Sequence, residues 1–334
     1  MSEFRSAPHY QLYVGIDIGA RSFTAAWTGQ STRTSPPLTY DQTSQGFTLL
    51  LQRLQATGAN PAETLVVLEA TSTYWIGLAV TLHQAGYVVS VINPLQAHHF
   101  AKALLRRAKS DALDAQTLAE LAARLQPAPW TPPPAVYHEL RQRLMAREAL
   151  LEMRQQARNH RHALLQWPVQ VESVRTHLDA AILDLDGRIA SLEREIATVL
   201  ANGAWAESAT LLQTIPGVGL MTTAWLLVTT LNFTLCATPE AAAAYAGLVP
   251  LPHESGTSVR ARPRIGHGGN GRLRTVLYMA TLSAAQHNPV IKTFYTRLRE
   301  AGKPMKVARC AAARKLLHLA FAVVTKGQQF AFSY

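Results

Sequence analysis

The chain has 334 residues, of which 48% are apolar and 16% charged, so it is too long for one small module and too apolar for a disordered tail; two domains with a connector are expected. Lys and Arg number 32 against 21 Asp and Glu, a formal net charge of +11, which favours an anionic partner, either nucleic acid or an acidic membrane surface. The two cysteines, Cys236 and Cys310, make neither a disulfide framework nor a metal-ligand spacing and read as buried thiols.

The residues ahead of Tyr10 include Ser, Arg, Pro and His and no apolar stretch, so no secretory signal is expected and a cytoplasmic location is. Residues 10–126 alternate strands with helices. Tyr13–Ile18 and Phe23–Trp27 read as strands, 45–55 as a helix, and Thr64–Leu68 as an apolar, β-branched strand. A helix over 74–84 ended by Gly86, a strand over 87–92 stopped by Asn93-Pro94, and helices near 95–106 and 111–125 complete a mixed α/β domain. Five prolines in the nine residues Gln126–Pro134 cannot continue a helix, which places a linker at 127–135.

A helix is expected at about 136–165 and another through Leu178, Ile182, Leu185, Ile189, Leu192, Ile196 and Val199, whose alternating spacing of four and three is a coiled-coil seam. The connector 136–203 either folds as a hairpin of these two helices or joins another subunit. Ser208–Pro239 carries no formal charge, but Pro216, Gly217, Gly219 and Asn232 interrupt it, so it reads as buried helix and no membrane partner is expected. The region 208–330 is helix-rich, broken at 250–256 and 266–271, and it holds the charge: Leu251–Lys315 carries 13 basic residues and 2 acidic ones. That is the footprint of a phosphate-binding surface, with Arg260, Arg262, Arg264, Arg272, Arg274, Lys303 and Lys306 as candidate nucleic-acid contacts. Gly217 and Gly219, in Ile215-Pro-Gly-Val-Gly219 ahead of an apolar helix over 222–231, add a tight turn like that of helix-hairpin-helix motifs, which offers backbone amides to phosphate.

Asp17 stands at the end of the first strand and Glu69 directly after the apolar strand 65–68, and in an open α/β sheet such strand ends meet where ligands bind. Asp111 and Asp114 lie three apart on a helix and share one face. Four carboxylates drawn to one point repel unless cations neutralise them, and Mg²⁺, which takes oxygen ligands, is the expected partner for phosphoryl transfer. Ser255 and Ser258 read from their spacing alone as turn residues; a serine among these arginines becomes a nucleophile only where cations stabilise its alkoxide. His98, His99, His160 and His162 lack the further ligands of a transition-metal site and read as surface or RNA-facing.

Gly15-Ile-Asp17, Leu68-Glu-Ala-Thr71 with Tyr74, Val91-Ile-Asn-Pro94, Lys109-Ser-Asp-Ala-Leu-Asp-Ala115, Ile215-Pro-Gly-Val-Gly219, Ala246-Gly-Leu248 and Glu254-Ser-Gly256 occur in order over nearly the whole chain. Together they resemble the bridge-RNA-guided insertion-sequence transposases, DEDD recombinases with a serine nucleophile. The resemblance implies an α/β plus α architecture: a RuvC-like, ribonuclease-H-type domain over 10–126, a helical coiled-coil connector, and a helix-rich transposase domain over 208–330. It implies Mg²⁺ held by Asp17, Glu69, Asp111 and Asp114, with Ser255 as the nucleophile that forms a covalent phosphoserine with DNA. It further implies donor and target DNA chosen by a structured non-coding bridge RNA, association with the nucleoid when active, and a homo-oligomer, a dimer of dimers in which the acidic cluster of one subunit meets the serine of another. Two departures stand out: Ser72 where relatives often have Gly, which puts the local turn in question, and Ser110 where Thr often precedes the first Asp.

Three rival readings remain. A RuvC-like nuclease or Holliday junction resolvase would use water as its nucleophile and leave Ser255 idle. Gly15-Ile-Asp-Ile-Gly19 also resembles the first phosphate motif of actin-like ATPases and sugar kinases, although no second Asp-x-Gly block accompanies it. A non-enzymatic nucleic-acid chaperone would need the basic segment alone.

Overall fold

The structure, a computed structural model, describes residues 10–29, 34–106, 110–255, 259–266 and 268–331, and over 251–263 the side chains lie outside the description. The chain divides into two units, Met1–Pro132 and Pro133–Tyr334.

In the first unit β1 (Leu12–Ile18), β2 (Ser22–Thr28) and β3 (Leu38–Asp41) form an antiparallel meander. After α1 (Ser44–Gln55) come β4 (Thr64–Glu69), α2 (Trp75–Gln84), β5 (Val88–Ile92), α3 (Pro94–Ala103) and α4 (Asp111–Leu125). β4 and β5 run parallel to β1, giving the mixed order β3-β2-β1-β4-β5. Helices cover both faces of the sheet, which is why β1 and β4 read as continuous apolar runs. Leu12, Val14, Ile16, Val66 and Leu68 face Leu50, Leu54, Leu78 and Leu82 of α1 and α2, while Tyr13, Leu65, Val67 and Ile92 face Leu118, Leu121 and Ala122 of α4. Because side chains alternate along a strand, Asp17 and Glu69 belong to the α4 face.

Gly15 sets how close α4 comes. A Cβ placed there would lie 2.1 Å from the Ala119 amide nitrogen and 2.3 Å from the Ala115 carbonyl oxygen. Only glycine lets the two backbones approach so closely, and Ala115 and Ala119 keep the helix side equally slim.

Gln126 ends α4 in a left-handed cap. The proline-rich stretch beyond it lies along β5: the Trp130 amide donates to the Val89 carbonyl at 2.7 Å, and Ser90 Oγ donates to the Ala128 carbonyl. The Trp130 ring meets Trp75 edge-on at 5.6 Å. The linker expected over 127–135 is thus anchored to the sheet through residue 130.

The second unit opens with two long helices, α5 (Ala135–Leu164) and α6 (Glu172–Asn202). They pack on each other antiparallel, tied by Arg143 to Glu195, Arg147 to Glu193, Arg154 to Asp186 and Arg161 to Asp179. Of the seam residues, Ile182, Ile189 and Ile196 are buried, so α5 is the partner this seam meets. Trp167, Val169 and Val171 in the connecting turn are exposed.

Next follow α7 (Ala206–Gln213), α8 (Leu220–Thr230), α9 (Pro239–Tyr245), β6 (Leu251–Ser255), β7 (Val259–Arg264), α10 (Gly271–His287), α11 (Pro289–Glu300) and α12 (Met305–Lys326). The uncharged α8 is the centre of this unit: Ala224, Leu226 and Leu227 are fully buried among Leu273, Leu277, Leu316 and Leu317. Among the described residues no helix is long and apolar enough to cross a membrane. The helices do break after residue 250, and there Leu251–Ser255 forms the first strand of an antiparallel hairpin, β6 with β7. The chain is therefore a mixed α/β sheet unit followed by a mostly helical one.

Candidate active site

The β1–β4 register places Ile16 opposite Leu68, so Asp17 and Glu69 are the next residues on adjacent parallel strands and face the same way. α4 packs across β1 with Asp111 and Asp114 in its first turn, where Ser110 Oγ caps the helix by accepting from the Leu113 amide at 3.3 Å. Asp17, Glu69, Asp111 and Asp114 consequently line one cleft of about 580 Å³. Thr71 Oγ1 donates to Glu69 Oε1 at 3.0 Å.

The carboxylates act on one another. Burial, and then the negative charge of Asp114, Asp111 and Glu69, raises the Asp17 carboxyl from 3.8 to about 6. Among the described residues no three Asp, Glu, His or Cys side chains are gathered closely enough to hold a metal ion as they stand. The donor set nonetheless fits a hard cation: the four acidic side chains offer only oxygen atoms, and positive charge among them would relieve the repulsion registered at Asp17.

The turn after Glu69 settles the question raised by Ser72, which adopts φ 53°, the left-handed region that glycine enters without strain. Ser72→Gly is expected to stabilise the protein by up to about 1 kcal/mol, the left-handed penalty less the added freedom of the unfolded chain, as read by thermal unfolding.

The cleft also contains residues that sequence reasoning did not assign to it. His98, Lys102 and Arg106 line it together with Pro94, Ala97 and Ala101. His98 is on the surface, as expected, but that surface is the cleft wall. The i,i+4 pair His98 and Lys102 was the available signal, though it acquires meaning only once the helix is seated.

In the second unit the Ser255 backbone pairs with Val259 at the closed end of the β6–β7 hairpin; its side chain, with those of Arg260 and Arg262, lies outside the described residues. Arg264, Lys303 and Lys306 are exposed. Arg272 bonds Glu148 at 3.0 Å and lies 4.8 Å from the centre of the Trp225 ring. Arg274 donates to the carbonyls of Ala246, Gly247 and Gly268, where it ties one turn to another. Gly217, at φ 96°, abuts Ala284 so closely that a Cβ would lie 2.5 Å from that methyl, whereas Gly219 is exposed at the start of α8. The buried Asn288 side chain donates to the Pro216 carbonyl at 3.3 Å and caps α11. A further groove of about 320 Å³ between α11 and α12 sets Arg297 5.4 Å and Lys315 5.1 Å from the Phe294 ring. Sequence reading did not single out these three residues.

Comparison with known proteins adds identity to this geometry. A DEDD transposase family model matches residues 14–167, and the model for transposases of the IS116/IS110/IS902 family matches 209–296. The pilin gene-inverting protein of Moraxella bovis is 32% identical over 324 residues, covering 95% of this chain and 97% of that protein. The protein of the same name from Moraxella lacunata matches over the same length, also at 32%. An IS110 insertion element protein of Streptomyces coelicolor is 36% identical over 118 residues, 35% of this chain and 28% of its own. Two family matches in chain order and relatives aligned almost end to end place the chain in the IS110 family of transposases, enzymes that act on DNA.

Proposed function

We propose that the protein is an RNA-guided insertion-sequence recombinase that cuts and exchanges DNA strands through a covalent phosphoserine at Ser255, with Mg²⁺ held by Asp17, Glu69, Asp111 and Asp114. The observation that carries the phosphoryl-transfer part is the single cleft lined by carboxylates from two strand ends and one helix turn, with Asp17 feeling the other three. The order β3-β2-β1-β4-β5 with β2 antiparallel supports a RuvC-like, ribonuclease-H-type reading of the first unit. The antiparallel α5–α6 pair supports a coiled-coil connector. Membership of the DEDD family suggests divalent-metal dependence.

Bound Mg²⁺ would supply Lewis-acid stabilisation of charge on the phosphate oxygens. The four carboxylates would hold the cation through their oxygens, and Gly15, by fixing α4 against β1, keeps them in a common orientation. Ser255 Oγ forms its bond to phosphorus as the bond to the leaving deoxyribose oxygen breaks; the serine proton passes to a base and the leaving oxygen takes one up. The phosphoserine conserves the energy of the cut bond, so rejoining needs no ATP. The Moraxella relatives are named for inverting a pilin gene, and inversion requires that cut ends be rejoined, which favours recombination over hydrolysis. In this reading a structured RNA selects donor and target DNA. Subunits assemble as a dimer of dimers, so that Ser255 of one reaches the acidic cleft of another. Exposed Arg264, Lys303 and Lys306, with Arg260, Arg262 and the exposed Gly219, belong to the nucleic-acid surface, while Arg272, Arg274 and Gly217, engaged with Glu148, with three backbone carbonyls and with Ala284, hold that surface in shape.

The test is direct. Wild-type protein carrying its co-purifying RNA and incubated with DNA and Mg²⁺ is expected to give a protein–DNA adduct that survives denaturation, and Ser255→Ala to lose adduct and cleavage together. Cleavage by Ser255→Ala without an adduct in the wild type would instead establish water as the nucleophile. Sequencing of co-purifying RNA tests guidance: a single element-encoded transcript supports it, and random cellular RNA overturns it.

A further inference from the structure

We infer that the inward stripe of α3 is a phosphodiester-binding wall, with Lys102 and His98 holding the non-bridging oxygens of the DNA strand whose phosphorus faces the acidic cluster. The inference rests on the functional reading above and adds the residues that hold the substrate.

Pro94, Ala97, His98, Ala101 and Lys102 all line the acidic cleft, and their spacing of three, one, three and one is a single stripe along a helix. One residue of the stripe, Ala97, is buried in the core beside Ile92 and Leu118, whereas Pro94, His98 and Lys102 are exposed. Pro94, Ala97 and Ala101 are small and leave a shallow trough, so a polymer backbone can lie close to the helix. His98 and Lys102, one turn apart, project from the same stripe.

Among the described residues, the donors of this wall are not all taken up by other side chains. Arg106, which also lines the cleft, is committed elsewhere: it pairs with Glu120 at 2.6 Å and bonds Thr117. Among the described residues neither His98 nor Lys102 forms an ion pair, although four carboxylates border the same cleft. The cleft therefore has two unlike walls, anionic on β1, β4 and α4 and donor-bearing on α3. A site built only to hold cations would gain nothing from an ammonium group, which repels them. A phosphodiester needs both walls, one to neutralise charge at the reacting phosphorus through bound cation and the other to donate hydrogen bonds to its oxygens.

The experiment uses the full-length protein with its co-purifying RNA and a fluorescein-labelled DNA duplex, with Ca²⁺ replacing Mg²⁺ for binding and Mg²⁺ restored for cleavage. Lys102→Ala is expected to weaken DNA binding by about 10-fold and to reduce the slope of log affinity against log salt by about one, as the loss of one phosphate contact requires. Lys102→Arg should restore both. The defect in cleavage should lie mainly in KM. His98→Gln, which retains a donor of similar reach, should bind as wild type, and His98→Ala should bind several-fold less tightly. If Lys102 merely balances the carboxylates, Lys102→Ala will keep wild-type DNA affinity and salt slope while needing less Mg²⁺ for half-maximal thermal stabilisation, and the inference falls. Should Lys102→Ala fail to fold, the two His98 variants decide: equal binding by both overturns the inference. Asp17→Asn in the same assay separates the two levels, since cleavage by that variant would sink the functional reading whatever the α3 variants show.

Discussion

Asp17→Asn is expected to abolish DNA cleavage while making the metal-free protein more stable. Loss of even an outer partner of a metal ligand costs about 10–100-fold, so if Asp17 is the ligand proposed above, removing it should lower cleavage by more than about 100-fold. The stability effect has the opposite sign for a definite reason. The folded protein holds the Asp17 carboxyl near 6 against an ordinary 3.8, so the fold favours the protonated form. Stability of the metal-free protein should therefore fall as pH rises from about 4 to about 6 and then level off. The rise corresponds to at most about 3 kcal/mol, reduced to the order of 1 kcal/mol by water around a carboxyl that is only partly buried. Asparagine, which has no charge to suppress, should gain about that much above pH 6 and flatten this part of the pH dependence. Urea unfolding across pH 4–8 in EDTA measures both. On the proposed reading, Mg²⁺ added near pH 6 should stabilise the wild type and release protons, because the ion would bind the charged carboxylate; the variant should show little of either.

Gly15→Ala is expected to be among the most damaging single-methyl changes possible in this chain. The added carbon meets backbone, with Ala119 N at 2.1 Å, Ala115 O at 2.3 Å and Leu118 C at 2.5 Å, and none of these can turn aside as a side-chain tip would. Overpacking typically costs about 1–3 kcal/mol, and contact with two backbones puts this site at or above the upper end. The protein can avoid the clash only by lifting α4 from β1, which carries Asp111 and Asp114 away from Asp17. Chemical unfolding should show the loss in stability. Any folded fraction should need more divalent cation for cleavage, a change that a loss of stability confined elsewhere would not produce.

Sequence reasoning recovered those parts of this architecture that local chemistry dictates. Leu65–Leu68 reads as a buried strand with an acid, Glu69, directly after it, and Ser110 ahead of Asp111 and Asp114 is a helix start in its own right. β3 escaped because Leu38-Thr-Tyr-Asp41 is four residues with no apolar run, and its pairing with β2 supplies the order its side chains lack. The β6–β7 hairpin escaped because Val-Arg-Ala-Arg-Pro-Arg264 reads as charged loop, and its strand character comes from the ladder to residues 251–255. The acidic residues could be nominated one at a time, but their common cleft depends on the Ile16–Leu68 register and the close approach at Gly15. The same distinction explains Arg272 and Arg274, whose intramolecular partners at Glu148 and the carbonyls of residues 246, 247 and 268 are remote in sequence and invisible to a charge count.

The strap formed by Ala128 and Trp130 has a practical consequence. β5 is the last strand of its sheet, and an uncovered last strand invites pairing with any extended peptide in solution. Here Trp130 occupies the Val89 carbonyl, and its indole shields Trp75. A fragment ending at Gln126, where the prolines tempt one to cut, would lose that cover and gain a sticky border, whereas a fragment carried through Pro132 would keep it. Purification yield and light scattering of the two fragments would reveal the difference before any enzymology was attempted.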